Sequence, residues 1–381
     1  MQPFHDDSPD VAETHTVMYM AIRKFLSGIG SWVLVLVITL ALLEVILRLF
    51  DTLPVHHNPL SGFHSSDPTL GWIGTPNYNG RFKSTDFDVI VENNDLGLRL
   101  AAQDQQPTNS DAKRVVFLGD SFTWGFGVEN DELFTEILQD KLGNTAKIYN
   151  FGVNAYGTAQ ELLIFDKYAR LTEPDIVVVM FFSNDLNDNM NNKNGRRPWF
   201  ELVDNKLIPR NQPVERQTVS AFKLFIQKSV ALSLLKNTFY QVRDMIRDDT
   251  SIKPAAELPQ KIYSEEEWQL LNALLLELQS RCANSNPVCE LRLVYIPMQK
   301  EIIDFEAHGS SPMAKRIGTL SAAADIPFVD LSQGLFQAWQ DSANKGINAT
   351  PIYLPTDGHW DASGHVAVAN ILFDNWQDDI N

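Results

Sequence analysis

The chain is poor in cysteine and in basic residues, and it has no internal repeats or low-complexity tract. Its 381 residues include only 2 cysteines, and 31 Lys and Arg stand against 48 Asp and Glu, a formal charge of −17. No block of Lys or Arg is longer than two residues. A nucleic-acid partner, or an anionic membrane surface as the main partner, needs a basic patch, and none offsets the average here. Cys282 and Cys289 flank Ala-Asn-Ser-Asn-Pro-Val in a loop-like run. Their spacing matches no common zinc pattern and no histidine lies nearby, so metal binding is not expected there. In an oxidising compartment they would close a short disulfide loop; in a reducing one they stay as two thiols.

Long hydrophobic runs are scarce too, with one exception. From Phe25 to Leu43 no charged residue appears. That is close to the roughly 20 residues needed to cross a bilayer. Arg23 and Lys24 precede the run, which favours a cytoplasmic amino end. No small-residue cleavage site follows it, so a removed signal peptide fits less well than an anchor. Glu44 and Arg48, four residues apart, can pair on one helix face as the helix leaves the hydrocarbon. The expected division is a disordered cytoplasmic tail at 1–24, with Met18 and Met20 as alternative starts, and a transmembrane anchor at 25–50 that meets the lipid bilayer. A linker and lead-in segment at 51–112 and a main domain at 113–381 follow.

The 44% hydrophobic content suits a globular core. Within the main domain, apolar strands alternate with helical patterns. The strands are Val115–Leu118, Ala146–Asn150, Asp175–Phe182, Glu290–Ile296 and Pro327–Asp330. The last helix starts after Asp361. This alternation predicts an α/β fold, a three-layer α/β/α sandwich with a mostly parallel, flavodoxin-like five-stranded sheet. Residues 187–285 interrupt it as a cap-like insertion. That insertion holds a hairpin near Trp199 to Ile208, a helix over Ala221 to Ile246, and a second helix from Ser264, where Ser264 and Glu267 form a capping box.

Gly119-Asp120-Ser121 follows the first strand. All three residue types favour turns, so the stretch alone reads equally as a turn or as the seat of a nucleophile. A nucleophilic serine needs a base, and the base needs a group to hold its tautomer. His359, two residues after Asp357 in a loop before the last helix, leaves the same rim of the sheet. His365 reads as structural. An oxyanion also needs donors. The second strand ends in Asn150 to Gly157 and the third in Ser183-Asn184-Asp185, both able to supply them.

These blocks, in this order, resemble the SGNH (GDSL-like) hydrolase family: Gly119-Asp120-Ser121-Phe122, Asn150 through Gly157, Ser183-Asn184-Asp185, and Asp357-Gly358-His359. Leu70-Gly71-Trp72 and Asn94 to Arg99 are similar to lead-in motifs of its membrane-anchored bacterial members. The resemblance implies Ser121 as nucleophile, His359 as general base and Asp357 as its orienter. The oxyanion donors would be the Ser121 N–H, the N–H of Ala155 or Gly152, and the Asn184 amide. Ala155 stands where the family has glycine, and the two-residue spacing from Asp357 to His359 is similar to acyltransferase-type members. The expected function is an extracytoplasmic serine esterase or O-acyltransferase acting on an ester-bearing substrate such as an acylated cell-envelope polysaccharide, with no metal or organic cofactor. Two other readings stay open. One is a catalytically silent glycan-binding or assembly protein, the other a thioesterase or lipase-like hydrolase.

Overall fold

The computed structural model describes residues 11–50, 62–99, 112–191, 193–216, 262–344 and 352–380, with parts of 229–239. The chain divides into two compact units, one of residues 1–55 with 220–250, the other of 56–219 with 251–381.

In the first unit α1 spans Val11–Phe50. Its Gly30–Leu49 stretch, 20 residues of mean hydropathy 2.5, is long and apolar enough to cross a membrane. The helix begins well before residue 25, so the expected disordered tail is helical from Val11; residues 1–10 lie outside the described residues. No Pro or Gly occurs between Val11 and Ser27, and extending an existing helix costs far less than nucleating one. The predicted Glu44–Arg48 pair is formed at 2.7 Å. Most of the helix expected over 221–246 falls outside the described residues.

The second unit is built on five parallel strands: β5 Lys113–Gly119, β6 Ala146–Gly152, β7 Ile176–Phe182, β10 Glu290–Ile296 and β11 Phe328–Asp330. Their order is β11-β10-β7-β5-β6, the flavodoxin-like arrangement in which the chain reverses direction across the sheet beside β5. Helices cover both faces, so β7 is buried almost throughout, which is why it reads as an unbroken apolar run. One outer layer holds α4 Thr158–Lys167, α6 Glu265–Ala283 and α7 Pro312–Ala323; the other holds α3 Phe134–Leu142, α8 Ser332–Asn344 and α9 Ala362–Ile380. The short helices α2 Ser121–Trp124 and α5 Asp185–Asp188 sit at the carboxyl ends of β5 and β7.

Three features differ from the sequence expectation. The helix α6 has the Ser264–Glu267 capping box, but it is not part of a cap. Its face of Trp268, Leu271, Leu274, Leu275 and Leu278 is buried in the core against α4 and β10, so it is the crossover helix between β7 and β10. The hairpin β8 Trp199–Val203 with β9 Lys206–Arg210 packs on the same layer. The lead-in is also more than a linker. It forms β1 His64–Asp67 with β2 Gly71–Gly74, and β3 Asn79–Lys83 with β4 Asp88–Glu92, two antiparallel pairs. Cys282 and Cys289 are joined as a disulfide between the end of α6 and β10.

Candidate active site

β5 ends at Gly119 and the chain turns at once into α2. A Cβ at position 119 would lie 2.1 Å from Thr123 Oγ1, so only glycine lets the helix fold back this closely. Asp120 caps the helix by accepting from the Phe122 N–H at 2.9 Å, and Gly125 closes it at φ 85°. Ser121 opens the helix, where a backbone N–H has no intrahelical acceptor.

His359 is held in a loop that returns to the same rim. The Leu354 N–H donates to the His359 carbonyl at 2.7 Å. The Thr356 N–H and Oγ1 both donate to Asp86 Oδ2 at 2.8 Å, tying the loop to the lead-in segment. The imidazole lies between two rings, with the Phe122 and Phe126 centroids each 4.6 Å away. Phe82 and Phe87 back Phe126 at 5.3 Å each. In this setting Ser121 Oγ and His359 Nε2 are 2.7 Å apart, and His359 Nδ1 is hydrogen-bonded to Asp357 Oδ1. With Asp357 as acceptor, the proton belongs on Nδ1, and the Nε2 lone pair faces the serine hydroxyl.

The second block is fixed from two sides. Asn150 Nδ2 donates to the Thr123 carbonyl at 2.7 Å. Trp72 Nε1 donates to the Asn154 carbonyl at 3.0 Å, the Tyr156 hydroxyl to the Trp72 carbonyl, and Gln160 Nε2 to the Leu70 carbonyl at 2.7 Å. The Leu70-Gly71-Trp72 motif is therefore a clamp on this loop. The Gly152 N–H is already engaged by Asn150 Oδ1 at 2.8 Å, which removes Gly152 from the candidate donors. Ala155 adopts φ 62°, a left-handed conformation that suits glycine and strains alanine, and its carbonyl accepts from Arg197 Nη2 at 2.6 Å. In the third block Asn184 Nδ2 donates to Asp120 Oδ2 at 3.4 Å, linking the ends of β5 and β7 at the topological switch point, where open α/β sheets bind ligands.

Burial sets the charge states around the rim. It pushes Asp120 up to about 6, against the pull of the Phe122 N–H, His359 and Asn184. Burial likewise raises Glu161 and Asp185 well above the ordinary carboxyl range, with repulsion from Asp120 adding at Glu161 and from Glu161, Asp120 and Asp188 at Asp185. His365 is pushed down to about 3 by burial; its Nδ1 accepts from the Phe134 N–H at 3.2 Å, a structural role. Among the described residues no cluster of three or more His, Cys, Asp or Glu side chains is arranged to hold a metal ion.

Residues 117–367 match the model of the GDSL-like Lipase/Acylhydrolase family, about two thirds of the chain. The chain belongs to that family. It is thus placed among hydrolases that cleave ester bonds. No curated protein sequence matches the chain. Similar solved structures include an acetyl xylan esterase, 14% identical, covering 69% of this chain and 98% of that one at a TM-score of 0.38. A G-D-S-L family lipolytic protein from Veillonella parvula is 12% identical, covering 70% and 99% at a TM-score of 0.38. A two-domain esterase active on acetylated mannans is 12% identical, covering 71% of this chain at 0.38; the chain spans half that protein's length.

Several supporting residues of this GDSL-like site carry no local sequence signal. Phe126 and Asp86 reach His359 and its loop from far along the chain. Arg99 is buried, donating to the carbonyls of Gly125 and Val128 and to Asn130 Oδ1; burial pushes it down to about 9. It holds the loop that carries Phe126. Its place at the end of the Asn94–Arg99 motif was the one available hint.

Proposed function

We propose that the protein is a membrane-anchored serine esterase in which Ser121 attacks the ester carbonyl, His359 takes and returns the proton, and Asp357 holds the imidazole. The observation that carries this reading is the 2.7 Å contact between Ser121 Oγ and His359 Nε2. The Ser121 Oγ–H proton passes to Nε2 as Oγ bonds to the acyl carbon. The same proton then protonates the departing alkoxide, leaving an acyl-serine that water or a sugar hydroxyl resolves. The rings of Phe122 and Phe126 restrict the imidazole and present π faces that favour its transient cation. Oxyanion donors are the N–H groups of Ser121 and Ala155 and the Asn184 amide, which sits two residues beyond β7 and makes only a long bond to Asp120 at 3.4 Å.

The substrate we favour is an acylated cell-envelope glycan. A cavity of about 420 Å³ lined by Asn187, Met190, Asn191 and Trp199 opens just beyond the third block. Its aromatic face and two side-chain amides, beside Met190, suit a hydroxylated ring. The anchor is Gly30–Leu49, with the catalytic unit outside the cytoplasm, and the Cys282–Cys289 disulfide fits an oxidising compartment. The two-residue spacing from Asp357 to His359 keeps acyl transfer as the second reading.

Ser121→Ala, assayed on a short-chain aryl ester, is expected to lose roughly 10³-fold or more of the turnover. Undiminished turnover in the folded variant, or no labelling of the parent at Ser121 by a fluorophosphonate, would overturn the esterase reading. Mass spectrometry of products from acetylated envelope glycan, with and without an added sugar acceptor, separates hydrolysis from transfer.

A further inference from the structure

α1 carries a carboxylate in an apolar setting. Glu44 lies five residues before Leu49, the end of the apolar stretch, and at about 1.5 Å per residue that is roughly 7–8 Å inside it. A carboxylate at that depth needs partners. Arg48 supplies one, through Nε at 2.7 Å. The others come from far along the chain: Ser229 Oγ donates at 2.8 Å, the Val230 N–H at 3.1 Å and the Ala231 N–H at 2.9 Å. Both Glu44 oxygens are satisfied in this way.

The donors open a second helical stretch, with 230–232, 234–236 and 238–239 helical. The Leu232 N–H donates to Ser229 Oγ at 3.2 Å, an ordinary amino-terminal cap. Glu44 adds a negative charge at the same helix end, the favourable sense for the helix dipole. The first turn of this stretch must then sit at the depth of Glu44. Beyond it Leu235 is 50% exposed and Phe239 66% exposed. Four residues apart, they share one helix face.

We propose that the helical stretch opened by Ser229 is interfacial, docked on α1 through Glu44, with its Leu235–Phe239 face in the outer boundary of the bilayer. The inference rests on reading Gly30–Leu49 as a membrane span. Lipid is the occupant because the helix on which this stretch docks is itself apolar and exposed through Trp32–Leu42. The depth set by Glu44 also matches the roughly 5–10 Å at which interfacial helices bury their apolar side. The chain thereby gains a second membrane contact, drawn from the insertion between β7 and β10.

The full-length protein offers a clean test, since its two cysteines are disulfide-bonded. Single cysteines replace Leu36, Leu235, Phe239 and the exposed Glu215, each labelled with an environment-sensitive fluorophore, in phosphatidylcholine–phosphatidylglycerol nanodiscs containing a shallow nitroxide lipid. Fluorophosphonate labelling of Ser121 reports that each variant is folded. The labels at 36, 235 and 239 are expected to be quenched about twofold or more, and the label at 215 unaffected. Quenching at 36 with 235 and 239 behaving like 215 would overturn the interfacial helix while leaving the span intact. No quenching at 36 would overturn the span, and this inference with it. A blue-shifted emission at 235 that lipid nitroxide does not quench would mark a protein partner instead, and overturn it. Glu44→Leu in the Leu235→Cys background is expected to remove at least half the quenching; unchanged quenching would refute docking through Glu44.

Discussion

Asp120, the residue before Ser121, gives a quantitative test of how burial controls this rim. Its carboxyl is 1% exposed and is raised from an ordinary 3.8 to about 6, chiefly by burial. The folded protein therefore keeps this proton while the unfolded chain has already released it. Stability from the protonated form is complete below about pH 4 and falls away as pH rises to about 6, where the folded state also ionises. At about 1.4 kcal/mol per unit, the shift of about two units corresponds to about 3 kcal/mol. Asp120→Asn removes the titration and keeps the shape. Its carbonyl still accepts from the Phe122 N–H, and once the Asn184 side chain turns its amide over, the new amide can donate to Asn184 Oδ1, a buried oxygen with no partner among the described residues. Urea unfolding of both proteins at pH 4, 5, 6 and 7.5 should show the variant gaining about 2 kcal/mol on the parent between pH 4 and 6.5, then little more. Titrating groups remote from Asp120 cancel in this difference. A difference that stays constant from pH 4 to 7.5 would refute the reasoning, because it would mean Asp120 titrates alike in both states.

Glu161 has neither carboxyl oxygen hydrogen-bonded among the described residues and is raised by burial. Glu161→Gln should thus gain melting temperature on the parent as pH rises from 5 to 8, and thermal scans at both pH values check the sign. Ala155→Gly relieves a left-handed alanine, worth about 1–2 kcal/mol, against about 0.4–1 kcal/mol of added unfolded-chain entropy. Denaturant titration should find it neutral to about 1.6 kcal/mol more stable, and a loss above about 1 kcal/mol would contradict the strain. Replacing Cys282 and Cys289 by Ser opens a loop with a sequence separation of 7. It should cost about 2–3 kcal/mol by loop entropy, read by unfolding with and without reductant.

The central sheet was legible because a parallel strand covered on both faces must be apolar throughout, as β7 is. The ends of β5, β6 and β7 were legible because turns and caps there demand Gly, Asp, Asn and Ser. What could not be read is everything that depends on which surfaces meet. The leucine face of α6 announced a buried helix but not that β10 and α4 would bury it. Glu161 escaped notice because α4 is buried nearly all round, so no polar stripe sets the carboxylate apart from its neighbours. Phe126 and Asp86 act on His359 and Thr356 across more than two hundred residues of chain, and no local pattern encodes such a meeting. The sequence did display Gly152 as a candidate donor, yet only the position of Asn150 Oδ1 shows its N–H to be occupied.

The lead-in segment changes how the catalytic unit has to be understood. Each part of the serine's setting is fixed by a residue before β5. Trp72 holds the second-block loop, Arg99 holds the loop carrying Phe126, and Asp86 holds the loop carrying Asp357 and His359. The side chain of Trp124, in α2 just after Ser121, packs in a cluster with Phe63, Val89 and Val91 of the same segment. A fragment beginning at β5 would keep every strand of the sheet and every residue of the Ser121–His359–Asp357 chain. It would lose the Asp86, Trp72 and Arg99 bonds that brace the three loops around the serine, so the site leans on the lead-in even though none of its residues touches the Ser121 hydroxyl.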